Sequence, residues 1–468
     1  MPMSQDLYAV WKAKEKEEFE KIRAKNPELL ERPAPPDPDM ILGMIGVTYL
    51  PETRTRGYIR LYPQDFIVEE VTKDGTLSSL VSTPSFRDSE DRRTLYADLV
   101  KAGIAHHHAF HDLETLLGLP EGGIAYAGIK DSVALTSQRI ALRGVSKEKL
   151  EAISHPHLWL KPVAYGSGSI QIGDLQGNRF TITVRTEEGR FDERLIDILA
   201  TVGGYNFFGP QRFGLRVNSH RLGQKLLQGD IDGVLHAYFT QPGPFDVPLF
   251  RQIRESFDAV YGDWTRMKKL ALFLPSSFGS EIRVLAALEQ DPKKTRAALG
   301  AIRDQVKLWQ AAYSSWVVNR HLSRLIQSGE ELPDELPLPL APGGIPKGYA
   351  DLIDGDGTTD YEDVIAMFPF LQTSTKTIPT RLQAKNVAWE AIPQGVVMRF
   401  ELGKGSYATS FLSHAFRLYE GLPVPDWVQE QEVDGLAVIG DGAIDEYKKR
   451  FSKVLVRRDA FKDKDSEE

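Results

Sequence analysis

A chain of 468 residues, 41% hydrophobic and 26% charged, is too long for one ordinary core and has the make-up of a globular protein of two domains with appendages. It has no cysteine, which excludes disulfides, thiolate metal sites and a thiol nucleophile. It also lacks both a run of about eighteen apolar residues and a signal-peptide core, so no membrane span and a cytoplasmic location are expected. The net charge of −8 argues against a broadly basic nucleic-acid protein but leaves room for a local basic groove.

Residues 4–31 read as a charged helix carrying Leu7, Val10, Trp11, Phe19 and Ile22, followed by a Pro-rich linker, PAPPDP, at 33–38. This first segment is expected either to dock on the main body or to be loosely attached. From Gly57 the pattern becomes strand, with Ile59, Leu61, Phe66 and Val68 inward around a Pro63-Gln64-Asp65 turn. Two helices are predicted next, Leu95–Lys101 stopped by Gly103 and His107–Leu117 stopped by Gly118.

The stretch 122–140, GGIAYAGIKDSVALTSQRI, reads as a short apolar strand, a Gly128 turn, the pair Lys130-Asp131, and a second strand from Leu135 to Leu142. Asp131 is open to two readings: a carboxylate held rigidly in a cleft beside a lysine, or a turn residue that caps backbone while the lysine is solvated. Residues 168–185 read as two strands around Gly173-Asp174 and Gly177-Asn178, with Phe180, Ile182 and Val184 on one face. Phe191–Val202 reads as an amphipathic helix.

At 205–225, Tyr205, Phe207, Phe208 and Phe213 alternate with Asn206, Gln211, Arg212, Arg216, His220, Arg221 and Lys225. Planar rings beside cations suit looped or single-stranded RNA, and an ordinary core turn with a solvated basic face suits the same residues. Residues 230–330 are mainly helical, with a long helix from about Ala301 to Ser328, and 332–357 are rich in Pro and Gly. Strands are predicted again at Val396–Leu402 and Tyr407–Leu412, and the tail after Lys453 is expected to be disordered. The order points to an α+β domain interrupted by a helical insertion.

Nucleotide motifs fail on spacing: LGKGS at 402–406 is no P-loop, and GSGS at 166–169 does not complete a dinucleotide fingerprint. His107 and His111 are spaced to share a helix face, but no third ligand accompanies them, so a surface or RNA-facing helix is expected rather than a metal site. A hydrolase pairing Asp131 with Glu69 or Glu70 is weakened by those glutamates lying in a strand, where solvation or a salt bridge suits them better.

PQDFIVEE at 63–70, YAGIKDSVALTSQ at 126–138, LQGNRF at 175–180 and YNFFGPQRFG at 205–214, in that order, resemble the TruD family of RNA pseudouridine synthases. FELGKGSYATSFL at 400–412 resembles the family's closing segment. The resemblance implies a pseudouridine-synthase-like catalytic domain with a mixed or antiparallel sheet, interrupted by a mainly helical insertion. The expected boundaries are an extension and linker at 1–40, catalytic parts at 41–216 and 373–432, an insertion at 217–372, and a tail at 433–468. It implies isomerisation of uridine in tRNA, at position 13 of the D arm, with no cofactor and no metal. Asp131 matches the family's essential aspartate and Phe66 the aromatic under the reacting base. Asn178 and Phe180 match residues that orient the aspartate loop and stack on the nucleoside. Lys130 is expected to hold the loop or neutralise Asp131, and Arg60 stands where the family commonly has lysine. Gln211 and Arg212 complete the expected RNA-binding set. The partner expected is tRNA and the protein is expected to be a monomer; a relative that binds RNA without catalysis is the alternative.

Overall fold

The structure, a computed structural model, describes residues 5–82, 86–340, 345–357 and 361–458. The chain forms two compact units, 1–50 with 207–380, and 51–206 with 381–468.

Among the described residues of the second unit, ten strands form one mixed sheet. In chain order they are β1 Thr55–Tyr58, β2 Phe66–Thr72, β3 Thr94–Ala102, β4 Ile124–Tyr126, β5 Leu135–Arg143, β6 Leu158–Gly166, β7 Leu175–Thr186, β8 Lys385–Ile392, β9 Gly395–Gly403 and β10 Phe416–Tyr419. The main path runs β8-β9-β7-β2-β5-β3-β6, with β4 on β5 and β1 bridging β7 and β10. The β2–β5 and β1–β10 pairs are parallel and the others antiparallel.

Strand alternation sorts the side chains onto two faces. On one face, Phe66 and Val68 of β2, Phe180, Ile182 and Val184 of β7, and Met398 and Phe400 of β9 form a core with helix Glu193–Thr201. Farther along the same face, Leu95, Ala97 and Leu99 of β3 pack with Ile140 and Leu142 of β5 under helix His106–Leu117. The opposite face buries Ile67, Val100 and Leu135 beneath Leu436, Tyr447 and Phe451. Register is tight at the end of β7: a Cβ on Gly177 would lie 2.0 Å from the Leu402 carbonyl oxygen, so the glycine of LQGNRF lets β7 and β9 close.

Several expectations change. Thr94–Ala102 is a strand, not a helix. Its Leu, Ala and Lys residues suit a helix and its Thr94, Tyr96 and Val100 a strand, and its place between β5 and β6, buried on both faces, decides for the strand. Residues 168–185 supply one long strand rather than two. Ala408–Leu412 is a helical turn, not a strand. Strand β8, KNVAWEAI, went unread: it is an edge strand with no buried residue. Residues 433–458 do not form a loose tail: Gly435–Ile439 and Asp445–Arg450 are helices whose apolar residues cover the sheet. The final DKDSEE lies outside the described residues.

The first unit is helical, built on the helix Arg303–Ser328 and the helices from Ser219 to Leu299. The N-terminal helix Gln5–Lys25 docks within this unit. Its buried Glu15 accepts hydrogen bonds from the backbone N–H groups of Ser276 (2.8 Å) and Ser277 (2.9 Å), and Lys14 donates to the Leu272 carbonyl at 2.7 Å.

Candidate active site

The loop between β4 and β5 carries Asp131 and has no strand ladder of its own. It is fixed from several sides. The Gly173 N–H donates to the Ala127 carbonyl at 2.8 Å, and Gln138 Nε2 donates to the Gly128 carbonyl at 3.1 Å. Lys130 turns inward and pairs with Glu70 Oε2 at 2.6 Å, both side chains almost fully buried. Of the two roles expected for Lys130, this geometry gives the first: it ties the loop to β2 rather than ion-pairing with Asp131.

Asp131 faces outward, its side chain 31% exposed, and meets Arg60 Nη2 at 3.1 Å. Arg60 is itself held in an uncommon way. Its backbone is left-handed, with φ 62°, a conformation that disfavours a residue bearing a Cβ and concentrates where surrounding structure over-determines the chain. Its guanidinium also pairs with Glu420 and lies 3.9 Å from the centroid of the Phe66 ring. One arginine therefore covers the expected base-packing ring and engages the expected reactive carboxylate.

The sheet register brings the remaining expected residues to this face. Glu70 lies opposite Asn178, and Val68 opposite Phe180, across the β2–β7 pair. Asn178 Oδ1 is buried and has no hydrogen-bond partner among the described residues, so the amide holds an unused acceptor beside the Lys130–Glu70 pair. The Phe180 ring is 5% exposed, edge-on to Phe66 at 6.2 Å and stacked with Phe400 at 5.6 Å.

Asp65 of PQDF is purely architectural. It is wholly buried, accepts from Arg185 on both oxygens (2.9 and 3.0 Å) and from the Tyr62 N–H at 3.1 Å. Neither neighbouring glutamate is available as a second carboxylate for hydrolysis. Glu69 is buried against Arg179 (2.7 and 2.9 Å), and Glu70 is held by Lys130 and by the Arg139 N–H at 3.2 Å.

Two residues of this region have no role assigned to them from the sequence. Lys101, at the end of β3, is fully buried and donates to the carbonyls of Ile104 (3.1 Å) and Asp131. Burial pushes its ammonium down to about 8, against the attraction of Asp131. His106 opens the helix His106–Leu117, stacked with Phe110 at 4.2 Å and edge-on to Tyr126 at 4.5 Å. Burial, and then the charges of Lys101 and Lys130, lower it to about 4, and neither ring nitrogen has a partner among the described residues. A signal for Lys101 existed: it continues the apolar row Leu95, Ala97, Leu99 at a spacing of two. His107 and His111 are exposed, and among the described residues no group of three His, Asp or Glu side chains could hold a metal ion.

Gln211 and Arg212 belong to the helical unit. Gln211 is exposed, whereas Arg212 Nε donates to Ser315 Oγ at 3.2 Å and its guanidinium lies 5.4 Å from the Phe208 ring. Phe207 and Phe213 are buried, and Asn319 clamps the turn by accepting from the Phe208 N–H (2.8 Å) and donating to its carbonyl (2.9 Å). Much of this aromatic stretch therefore serves the core.

The sequence profile of the TruD family, tRNA pseudouridine synthase D, matches residues 45–337, more than half of the chain. The chain belongs to the TruD family. Among TruD relatives, a probable tRNA pseudouridine synthase D 1 of Methanocaldococcus jannaschii is 27% identical over 384 residues, covering 78% of this chain and 96% of the relative. A probable tRNA pseudouridine synthase D of Pyrobaculum neutrophilum is 29% identical over 413 residues, covering 81% and 96%. The crystal structure of a putative TruD protein from Methanosarcina mazei superposes with a TM-score of 0.64 at 24% identity, covering 81% of this chain and 98% of that one. That likeness establishes a shared α+β fold.

Proposed function

We propose that this TruD-family chain is a pseudouridine synthase acting on tRNA, that its target is uridine 13 of the D arm, and that Asp131 is the reacting group with no cofactor taking part. The observation that carries the reading is the contrast within one loop: Lys130 is sealed against Glu70, while the adjacent Asp131 carboxylate stays partly exposed, aimed by Arg60 beside Phe66.

The chemistry balances without an external reagent. The bond from the ribose C1′ to N1 of uracil breaks, the freed base turns, and a bond forms from C1′ to C5. C5 then loses its proton and N1 gains one. Nothing is oxidised or reduced, so the needs are a positioned carboxylate, an apolar wall that excludes water, and a site for an extruded base. Arg60 supports this by orienting one carboxylate oxygen, at 3.1 Å. Phe66 and Phe180 supply apolar surface at the floor of the site, and the unused Asn178 acceptor suits a donor on the nucleotide or on the loop.

The test is tritium release from C5-labelled uridine in tRNA transcripts, including one with uridine 13 replaced. Wild type is expected to release tritium from the intact transcript and not from the replaced one. Asp131→Asn is expected to lose at least about 10³-fold in rate while keeping its fold. Full activity in Asp131→Asn would overturn the catalytic assignment, release from the replaced transcript would overturn the position, and no release by wild type from any tRNA would favour an RNA-binding relative.

A further inference from the structure

Lys101 is an expensive residue. Taking an ammonium wholly out of water costs several kcal/mol unless it is paired, and an apolar side chain would continue the row that Leu95, Ala97 and Leu99 begin. Among the described residues no carboxylate forms an ion pair with it: Asp131, which attracts it, turns its carboxylate to Arg60. What Lys101 holds instead is backbone: the carbonyl of Ile104, which leads into the helix His106–Leu117, and the carbonyl of Asp131. The other ties on this loop act at Ala127, Gly128, Lys130 and Ala134. Only the Lys101 tie, among those found in the described residues, grips the backbone of Asp131 itself.

We infer that Lys101 is a positioning residue for the reaction, fixing the main chain of Asp131 through its carbonyl while Arg60 orients its carboxylate. This inference rests on the reading of Asp131 as the reacting group. The strand end is a rigid mount: Lys101 pairs with Thr136 of β5 on one side and Leu158 of β6 on the other, so its Cα is fixed by two ladders. A rigid side chain gripping a loop carbonyl holds the attached carboxylate in register, and displacement of a reacting group by about 1 Å costs on the order of 10²-fold in rate.

Charge acts in the same direction. The titratable groups facing the ammonium are Asp131, which attracts it, Lys130, which repels it, and His106, which stays neutral above about pH 4. The positive charge at the Asp131 carbonyl thus acts on the residue that the reaction uses, and with the ammonium lowered to about 8 that charge is present below this pH and lost above it.

The experiment measures single-turnover tritium release, with enzyme in excess over a tRNA transcript, together with tRNA affinity and thermal melting. Wild type, Lys101→Met, Lys101→Arg and Asp131→Asn are compared. Lys101→Met is expected to lose about 10²-fold in rate with tRNA affinity unchanged within about twofold, and Lys101→Arg to recover at least about tenfold of that loss. A folded Lys101→Met that reacts within about threefold of wild type, beside an inactive Asp131→Asn, overturns this inference alone. An active Asp131→Asn overturns the reading beneath it and this inference with it. Should Lys101→Met fail to fold, the wild-type rate decides: it is expected to fall as pH rises through about 8, and a flat profile between about pH 7 and 9 overturns the inference.

Discussion

Two aspartates in the sheet unit each meet an arginine, and they precede two neighbouring parallel strands, β2 and β5. Asp65 and Arg185 have fully buried side chains joined through both carboxylate oxygens, with the remaining donors of Arg185 spent on the carbonyls of Gln429 and Gln431. Asp131 offers one oxygen to Arg60 at 3.1 Å, keeps 31% of its side chain exposed, and relies on an arginine whose backbone is itself in a left-handed conformation. A saturated pair has nothing left to give to a substrate. An unsaturated one, mounted on a strained residue, retains donor and acceptor capacity that a ligand can use.

The difference is sharpest when each aspartate is changed to asparagine. At Asp131 the effect should fall on chemistry: at least about 10³-fold in tritium release, with melting close to wild type because the side chain is partly solvated. At Asp65 it should fall on folding. Removing one charge of a buried pair leaves the other uncompensated, at a cost of about 3–5 kcal/mol by chemical denaturation, and the fraction that folds should still react. If Asp65→Asn folds normally but is inactive, the separation drawn here between structural and reacting carboxylate fails.

Next in size is Arg60→Lys. The charge facing Asp131 survives, but the planar cation over Phe66 does not, and that contact is worth about 1 kcal/mol, or roughly fivefold in kcat/KM. A loss beyond about fiftyfold would mean that Arg60 does something a lysine cannot, such as binding substrate with both arms.

How much of this was legible beforehand depends on which interactions are local. Phe66, Asp131, Asn178 and Phe180 sit in ordered motifs, and the strand periodicity around Phe180, Ile182 and Val184 placed that row on one face of the sheet. The partners of Lys130 and Arg60 were less accessible. Both are cations near Asp131 in the motif map, yet only Arg60 reaches it, because the alternation of β2 turns Glu70 onto the face where Lys130 enters. Lys101 was lost through the misreading of its strand. Thr-Leu-Tyr-Ala-Asp-Leu-Val-Lys-Ala mixes helix and strand formers, and the pairing with β5 and β6, contributed by residues well separated in sequence (Ala102 with Leu135, Lys101 with Leu158), makes it a strand. The aromatic turn at 205–214 shows the opposite limit: composition suited RNA, but Phe207 and Phe213 are core residues, and burial is decided by neighbours such as Asn319 that no local pattern reveals.

The last expected effect is conditional on pH and concerns His106, which extends the comparison from carboxylates to a buried base. Its ring lies between Phe110 and Tyr126 and is lowered to about 4 by burial, then by the charges of Lys101 and Lys130. In the unfolded chain an imidazole takes up its proton near pH 6.5. Between these values the unfolded state binds the proton and the folded state does not, so this residue's contribution to stability is fully present above about 6.5 and is lost as pH falls toward about 4. His220 and His414, also lowered by burial, act in the same sense, so wild type alone cannot isolate one imidazole. His106→Phe can: phenylalanine fills the aromatic slot without a titrating group. Denaturation midpoints of the variant should fall less steeply than those of wild type between pH 6.5 and 4, with the two converging in slope above pH 7. Parallel curves across the whole range would mean that His106 meets solvent in the folded protein and takes its proton there.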